Sequence, residues 1–326
     1  MQTPTFDFHS SVRDQSLERE AIASLQSNRI DPKFLYVTPR QAELWRQVFL
    51  RHSPIHANPE FARIYHEAFT RALDPFNPAK IFLVGLGCGT GRKELDLFTH
   101  LKSHRRQALF SAIDVSHDLV RESAEKLMAA GADHRRSLVC DLGQSAFLGE
   151  WLNGVESSLP RLITFFGLVP NLAPSVVARI FRSVLRPGDI LLASAHLAPV
   201  PDENPAGLPA AMKSVLPQYD NPETLAWLAA AVQLWELEEK LHPIEMKIGQ
   251  VEEIPAFIGS AKWKTDAPFE KWGCRFSPKV GEPLRVFYSL RYTQSLFEKV
   301  LRREGFDVKL LSITSCRQEA IWSISR

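Results

Sequence analysis

The residues best placed to do chemistry together are a run of glycines and two acids that follow it at intervals. Val84-Gly85-Leu86-Gly87-Cys88-Gly89-Thr90-Gly91 reads as a buried strand running into a glycine turn just before a helix. Glycines there let the backbone approach a ligand closely and take positive φ, while the helix start offers unpaired N–H groups. Asp114, in Ala112-Ile113-Asp114-Val115-Ser116, ends the next strand, where a carboxylate can accept both ribose hydroxyls of a nucleoside. Asp141, in Val139-Cys140-Asp141-Leu142, ends the third, in position to accept from an adenine amino group. Singly, each would serve equally well as a turn glycine or a capping acid. Their order, at the carboxyl ends of adjacent strands, predicts a nucleoside-containing cofactor. The Gly87-x-Gly89-x-Gly91 spacing departs from the GxGxxG of dinucleotide sites, and the absence of GxxxxGK[ST] excludes a P-loop.

Positioning these groups requires alternating strands and helices. Short apolar runs at Ile81–Leu86, Leu109–Ile113 and Ser137–Val139 alternate with helical stretches at Lys93–Lys102 and Asp118–Ala130, the pattern of βαβ units in a parallel sheet. The rhythm continues through a strand at Arg161–Phe166, a helix at Pro174–Leu185 stopped by Arg186-Pro187-Gly188-Asp189, and a strand at Ile190–Ala195. Residues 196–285 interrupt it; they are richer in Pro and Trp and hold one long predicted amphipathic helix, Pro222–Lys240. Then come a strand at Val286–Tyr292, a helix at Thr293–Glu304, and a closing strand pair at Val308–Ser312 and Ala320–Ser323, as in a mixed sheet with an antiparallel end. Residues 1–75 read as helical, with apolar stripes in Gln41–Leu50 and Glu60–Leu73. The expected organisation is N-terminal helices over 1–75, a cofactor domain over 76–195 and 286–326, and an inserted lobe over 196–285 packed against the N-terminal helices.

Composition narrows the class further. The 326 residues carry 39 Lys+Arg against 37 Asp+Glu with the signs interspersed, so no basic stripe for nucleic acid is present. Cys88, Cys140, Cys274 and Cys316 never fall in a CxxC or Cys/His spacing, and the histidines show no HExxH, so neither a disulfide framework nor a metal site is expected. Met1–Glu20 lacks the apolar core of a secretory signal and no apolar run reaches bilayer-spanning length, so a cytoplasmic protein with no membrane partner is the expectation. Trp227, Trp235, Trp263 and Trp272 read as core and pocket walls.

The whole pattern resembles the class I S-adenosylmethionine-dependent methyltransferases. That resemblance implies a doubly wound, mostly parallel, seven-stranded α/β sheet with a second lobe. Within the class, the chain is similar to the family that contains the histidine-specific N-methyltransferase of ergothioneine synthesis and the dimethylallyltryptophan N-methyltransferase of ergot alkaloid synthesis. Carrying this likeness are Phe34-Leu35-Tyr36, Phe165-Phe166-Gly167, Pro170-Asn171-Leu172, Leu185-Arg186-Pro187-Gly188-Asp189, Tyr219-Asp220, Pro243-Ile244-Glu245-Met246 and Tyr288-Ser289-Leu290-Arg291-Tyr292. Each is short, and their common order along nearly the whole chain is the specific part.

The resemblance implies S-adenosylmethionine as cofactor, held by Gly85, Gly87, Gly89, Lys93, Asp114, Asp141, Leu142, Phe166 and Gly167. Lys93 would meet the methionine carboxylate. Tyr36, Asn171, Tyr219, Phe287 and Ser289 match positions that hold an amino-acid substrate, and Asn171 and Tyr219 would orient the amine. Three departures bear on the acceptor and cofactor. Phe287 stands where the histidine enzymes carry a glutamate that accepts from imidazole, Ser53 where they carry a tyrosine, and Gly85 where the glycine-turn strand carries an acid. The expected activity is N-methylation of an amino acid or amino-acid-derived amine other than histidine. The alternatives are carbon methylation or intramolecular cyclisation with the same cofactor, and a non-catalytic cofactor-binding module.

Overall fold

A computed structural model describes residues 3–201 and 205–326. Strands follow the apolar runs: β1 (Phe6–Phe8), β2 (Lys80–Leu86), β3 (Gln107–Asp114), β4 (Asp133–His134), β5 (Ser137–Val139), β6 (Arg161–Phe166), β7 (Ile190–His196), β8 (Glu245–Val251), β9 (Ile254–Lys262), β10 (Phe269–Lys271), β11 (Cys274–Phe276), β12 (Pro283–Leu290), β13 (Asp307–Ile313) and β14 (Glu319–Ser325). Helices follow the amphipathic stretches: α1 (Asp14–Gln26), α2 (Pro39–His52), α3 (Pro54–Ala57), α4 (Pro59–Leu73), α5 (Arg92–Ser103), α6 (His117–Ala129), α7 (Leu148–Val155), α8 (Pro174–Val184), α9 (Leu208–Val215), α10 (Pro222–Leu234) and α11 (Gln294–Arg303). Among these, no helix is long and apolar enough to cross a membrane.

Among the described residues the central sheet has nine strands, ordered β1-β5-β3-β2-β6-β7-β14-β13 with β4 beside β3. The expected seven are the contiguous run from β5 to β13. β1 lengthens one edge by pairing in parallel with β5, Phe6 opposite Ser137. All pairs up to β7 are parallel, and β14 runs antiparallel to both β7 and β13. Residues Ile81–Leu86 of β2 are buried without interruption, as a parallel strand covered on both faces must be. α4, α5 and α6 cover one face, around Leu83, Phe110 and Leu162, and α7, α8 and α11 cover the other, around Val84, Phe165 and Trp322. Chain order reverses between β2 and β6, so the crevice at their carboxyl ends is where this architecture binds ligands.

The second lobe has its own core and its own three-stranded antiparallel sheet, β12-β9-β8; α10 packs against β12, and α2 packs against α10. The strand expected from residue 286 as part of the cofactor domain, β12, pairs with β9 of the second lobe and makes no ladder with the central sheet, although its Leu290 is buried in the core against that sheet. Leu284, Val286 and Phe287 of β12 are buried in the lobe core beside Trp227 and Phe257. The first segment of the chain joins this sheet too, as Ile30 N–H donates to the Arg285 carbonyl at 2.7 Å and Arg285 N–H to the Asn28 carbonyl at 3.0 Å. The helix expected over Pro222–Lys240 stops at Leu234, because Glu236 takes positive φ of 52°.

At the amino ends of β6 and β7, opposite the crevice, Asp189 is 2 % exposed and accepts from Arg161 N–H at 2.9 Å and from the Arg186 backbone N–H and Nε at 3.1 and 3.0 Å. Arg161 is fully buried, and desolvation with the nearby Arg186 pulls its guanidinium down to about 10. Asp189→Ala leaves these donors without their acceptor and a buried cation without its counter-charge. The expected cost is about 3 kcal/mol, read as a lower urea midpoint with an unchanged slope.

Candidate functional site

The glycine turn is built as its sequence requires. Gly91 starts α5 at φ 68°, and a Cβ there would lie 2.8 Å from the Cα of Ser123 in α6. At Gly89, φ 51°, a Cβ would fall 2.8 Å from the Trp45 ring. The Gly89 N–H donates to Asp114 Oδ2 at 3.1 Å, while Asp114 Oδ1 accepts from Ser116 N–H at 3.0 Å. Burial pushes the Asp114 carboxyl up, and the N–H groups of Ser116, Gly89 and Val115 oppose that shift.

Two cavities meet over this turn. The first, about 300 Å³, is lined by Gly87, Gly89, Asp114, Asp141, Leu142 and Gly167, among others. The second, about 200 Å³, is lined by Lys93, Glu94, His196, Tyr219, Phe287 and Ser289, among others. Tyr36, Trp45, Gly87, Gly89, Phe166, Gly167 and Asn171 line both. The first cavity carries the polar groups a nucleoside needs: a strand-end carboxylate and a second acid to accept its hydrogen bonds, and a backbone stripped of side chains. At its far end Asp141 accepts from Gly143 N–H at 2.7 Å and from Lys33 Nζ at 2.5 Å, and Lys33 also pairs with Glu20. Asp31 beside them is pushed up to about 6 by burial and by the Asp141 charge.

In the second cavity the Tyr219 hydroxyl stands 3.2 Å from Ser289 Oγ and accepts from Arg291 Nη2 at 2.6 Å. Arg291 is 1 % exposed and stacks its guanidinium over the Tyr219 and Phe257 rings. Phe287 packs against Trp227 with ring centroids 5.7 Å apart, and Tyr36 against the same indole at 5.4 Å. Burial, with the Asp114 charge nearby, raises the Tyr36 hydroxyl. Lys93 Nζ lies 4.6 Å from the Tyr65 ring centroid and 3.6 Å from Glu319 Oε1. Burial opposes the Glu319 charge, yet Lys93, His196 and Tyr65 hold that carboxyl below its usual range.

Every residue expected at the site lines one or both cavities except Gly85. Its position faces inward, where a Cβ would lie 3.2 Å from Glu94 Cγ and 3.2 Å from Cys88 Cβ, so it reaches neither cavity. Sequence reasoning missed Trp45, Lys33, His196, Glu94 and Arg291. His196 ends β7, and its position at a strand's carboxyl end was the available signal. Burial pulls its imidazole down to about 4 against the pull of Glu319, 3.8 Å away. Trp45 and Lys33 come from segments far away in sequence and carry no local signal.

A nine-stranded sheet of this order, with a glycine turn and strand-end acids around paired cavities, defines a nucleoside-cofactor enzyme of the doubly wound class. The chain belongs to the family described as histidine-specific, S-adenosylmethionine-dependent methyltransferases, whose sequence profile matches residues 17–208. No curated protein matches it. Among solved structures it is similar to a pericyclic reaction enzyme, with 8% identity, TM-score 0.40, 76% of this chain and 44% of the other covered. It is similar also to the CMeT domain of citrinin polyketide synthase, with 14% identity, TM-score 0.44 and coverages of 88% and 57%. A third is the pyocyanin biosynthetic protein PhzM, with 11% identity, TM-score 0.42 and coverages of 85% and 60%. The chain thus spans less than two thirds of each of these three chains.

Asp114→Ala removes the acceptor that fixes the turn and a carboxylate that lines the first cavity. The expected result is S-adenosylmethionine binding weakened by about tenfold or more in a calorimetric titration. Unchanged affinity removes Asp114 from the site.

Proposed function

We propose that the protein transfers a methyl group from S-adenosylmethionine to the amine of an amino acid or an amino-acid-derived small molecule with an aromatic side chain. The observation that carries this reading is the second cavity itself. It opens onto the cofactor cavity, it is walled on one side by Tyr36, Trp45, Trp227 and Phe287, and beside Lys93, Glu94 and His196 it presents the hydroxyls of Tyr219 and Ser289, backed by the buried Arg291. A buried cation behind two hydroxyls suits a carboxylate, and the rings suit an indole or phenyl group.

The bound cofactor supplies an activated sulfonium methyl open to in-line attack. The protein's part is alignment and exclusion of water. Asp114, Asp141 and the Leu142 backbone orient the nucleoside, and Lys93 is the cation for the methionine carboxylate. Asn171, lining both cavities, and Tyr219 would orient the neutral amine, whose lone pair would form the N–CH3 bond as the S–CH3 bond breaks and its electron pair stays on sulfur in a neutral thioether; the methylated ammonium then loses a proton to solvent to give the methylated amine. Phe166 and Gly167 form the wall between the two ligands. Histidine is disfavoured because the Phe287 ring, 7 % exposed, offers its imidazole no acceptor. A buried N–H left unpaired costs about 1–3 kcal/mol.

The test is incubation of the protein and S-adenosylmethionine with pooled amino acids and indole amines, followed by mass spectrometry. A gain of one methyl on an aromatic amino acid or amine is the expected result, with tandem fragmentation placing it on nitrogen. Methyl on carbon overturns the amine assignment. Cofactor binding with no methylated product in the pool overturns the proposed acceptor class.

A further inference from the structure

Gly85 leaves an unusual space at the end of β2. It carries no side chain, its φ is not in the positive range, and the volume its Cβ would claim is filled by Glu94, whose Cγ and Cδ lie 3.2 and 3.7 Å from that point. Glu94 is in the first turn of α5, where the aligned backbone N–H groups favour a negative charge. It is 3 % exposed, it accepts from Thr164 Oγ1 at 2.8 Å, and it lines the second cavity beside Gly87, Gly89 and Lys93. No other carboxylate lines that cavity among the described residues. No Lys, Arg or His nitrogen of the described residues makes an ion pair with Glu94, although Lys93 precedes it and is held by Glu319. A buried carboxylate without a counter-ion is costly unless a ligand provides one.

The cofactor's amino-acid end bears both charges, a carboxylate and an ammonium. Lys93 answers the first. We propose that Glu94 is the counter-ion for the second, doing from the first turn of α5 what residue 85, lacking a side chain, cannot do from the end of β2. This rests on the proposed cofactor reading, with the amino-acid end of the cofactor reaching from the first cavity into the second, where Lys93 and Glu94 lie, and adds a binding residue nine positions along the chain from Gly85.

A titration distinguishes this role from a structural one. Burial pushes the Glu94 carboxyl up to about 7, with the Thr164 hydroxyl and Lys93 opposing. An ammonium alongside would draw it back down. The ionised form therefore binds better, binding near neutral pH releases a proton, and affinity rises with pH through about 7. The titratable groups that face Glu94 are Lys93 on its own helix, Asp114 at the end of β3, Cys88 in the turn and Tyr65 of α4. Of these, Asp114 is addressed by the nucleoside, which 5′-methylthioadenosine shares, so that ligand serves as the control.

The experiment is calorimetric binding of S-adenosylmethionine and of 5′-methylthioadenosine to wild type and to Glu94→Gln, which keeps the shape and the Thr164 contact. The expected result is a loss of about tenfold or more for S-adenosylmethionine and less than about twofold for 5′-methylthioadenosine. Wild-type affinity for S-adenosylmethionine should tighten by about fivefold or more from about pH 6 to about pH 7.5, and the variant should stay flat. Equal affinity of the two proteins for S-adenosylmethionine overturns the assignment. An equal loss for both ligands also overturns it, by making Glu94 a packing residue. Failure of wild type to bind either ligand overturns the cofactor reading instead.

Discussion

Asp114 stands where the carboxyl end of β3 meets the glycine turn after β2, and the crevice depends on how its charge is held. Its two oxygens take the N–H groups of Gly89 and Ser116. A buried carboxylate without such donors would cost several kcal/mol, so the acid and the turn stabilise each other. The bond fixes Gly89 in a conformation with positive φ, and with it the path into Gly91 and the start of α5. α5 then delivers Lys93 and Glu94 into the second cavity. One carboxylate thus sets the floor under the nucleoside and, through the turn, the direction in which two charged side chains enter the site.

The roof comes from the other end of the chain. Lys33, 4 % exposed, ties Glu20 to Asp141 at one end of the first cavity. The next two residues are pinned by their backbone, as Gln41 Nε2 donates to the Phe34 carbonyl at 2.7 Å and Trp227 Nε1 to the Leu35 carbonyl at 2.9 Å. Tyr36 follows directly and reaches both cavities. The floor of both cavities belongs to the sheet, while the lobe and the N-terminal segment supply much of the walls of both, with Tyr36 and Trp45 shared between them.

Most of the sheet was legible because its strands are continuous apolar runs closed by turn residues with a mechanism. The β8–β9 hairpin was not legible. Its turn is Glu252-Glu253, both at positive φ, where the usual signal is Asn-Gly, so nothing in the local composition marks it. The end of α10 was hidden for the same reason, with Glu236 doing what glycine ordinarily does. β1 escaped notice because three residues in register with β5 draw their stability from a pairing some 130 positions away. In the site, the cofactor residues read directly from spacing lie on strand ends and the glycine turn, whose chemistry is local, whereas Tyr36, Tyr219, Phe287 and Ser289 came from the family resemblance. Trp45 reaches the site through tertiary packing of α2, which no short spacing encodes, and Lys33 and Arg291 flank expected residues without a motif of their own.

β12 shows how one strand can serve two ligands. Phe287 and Ser289 are two residues apart, share a face by the strand's period, and line the second cavity. Tyr288, between them, points the other way into the first cavity, where Arg285 joins it with its guanidinium 5.1 Å from the Tyr288 ring. By simple alternation Arg285 should side with Phe287. The register of β12 against β9 slips between Arg285 and Phe287, and that irregularity turns the strand so that Arg285 and Tyr288 fall together. A shift of one residue would exchange the two sets, setting a charged guanidinium and a phenol among the aromatic walls and turning the apolar Phe287 toward the nucleoside. The bulge therefore keeps Arg285 and Tyr288 in the lining of the first cavity and Phe287 and Ser289 in that of the second.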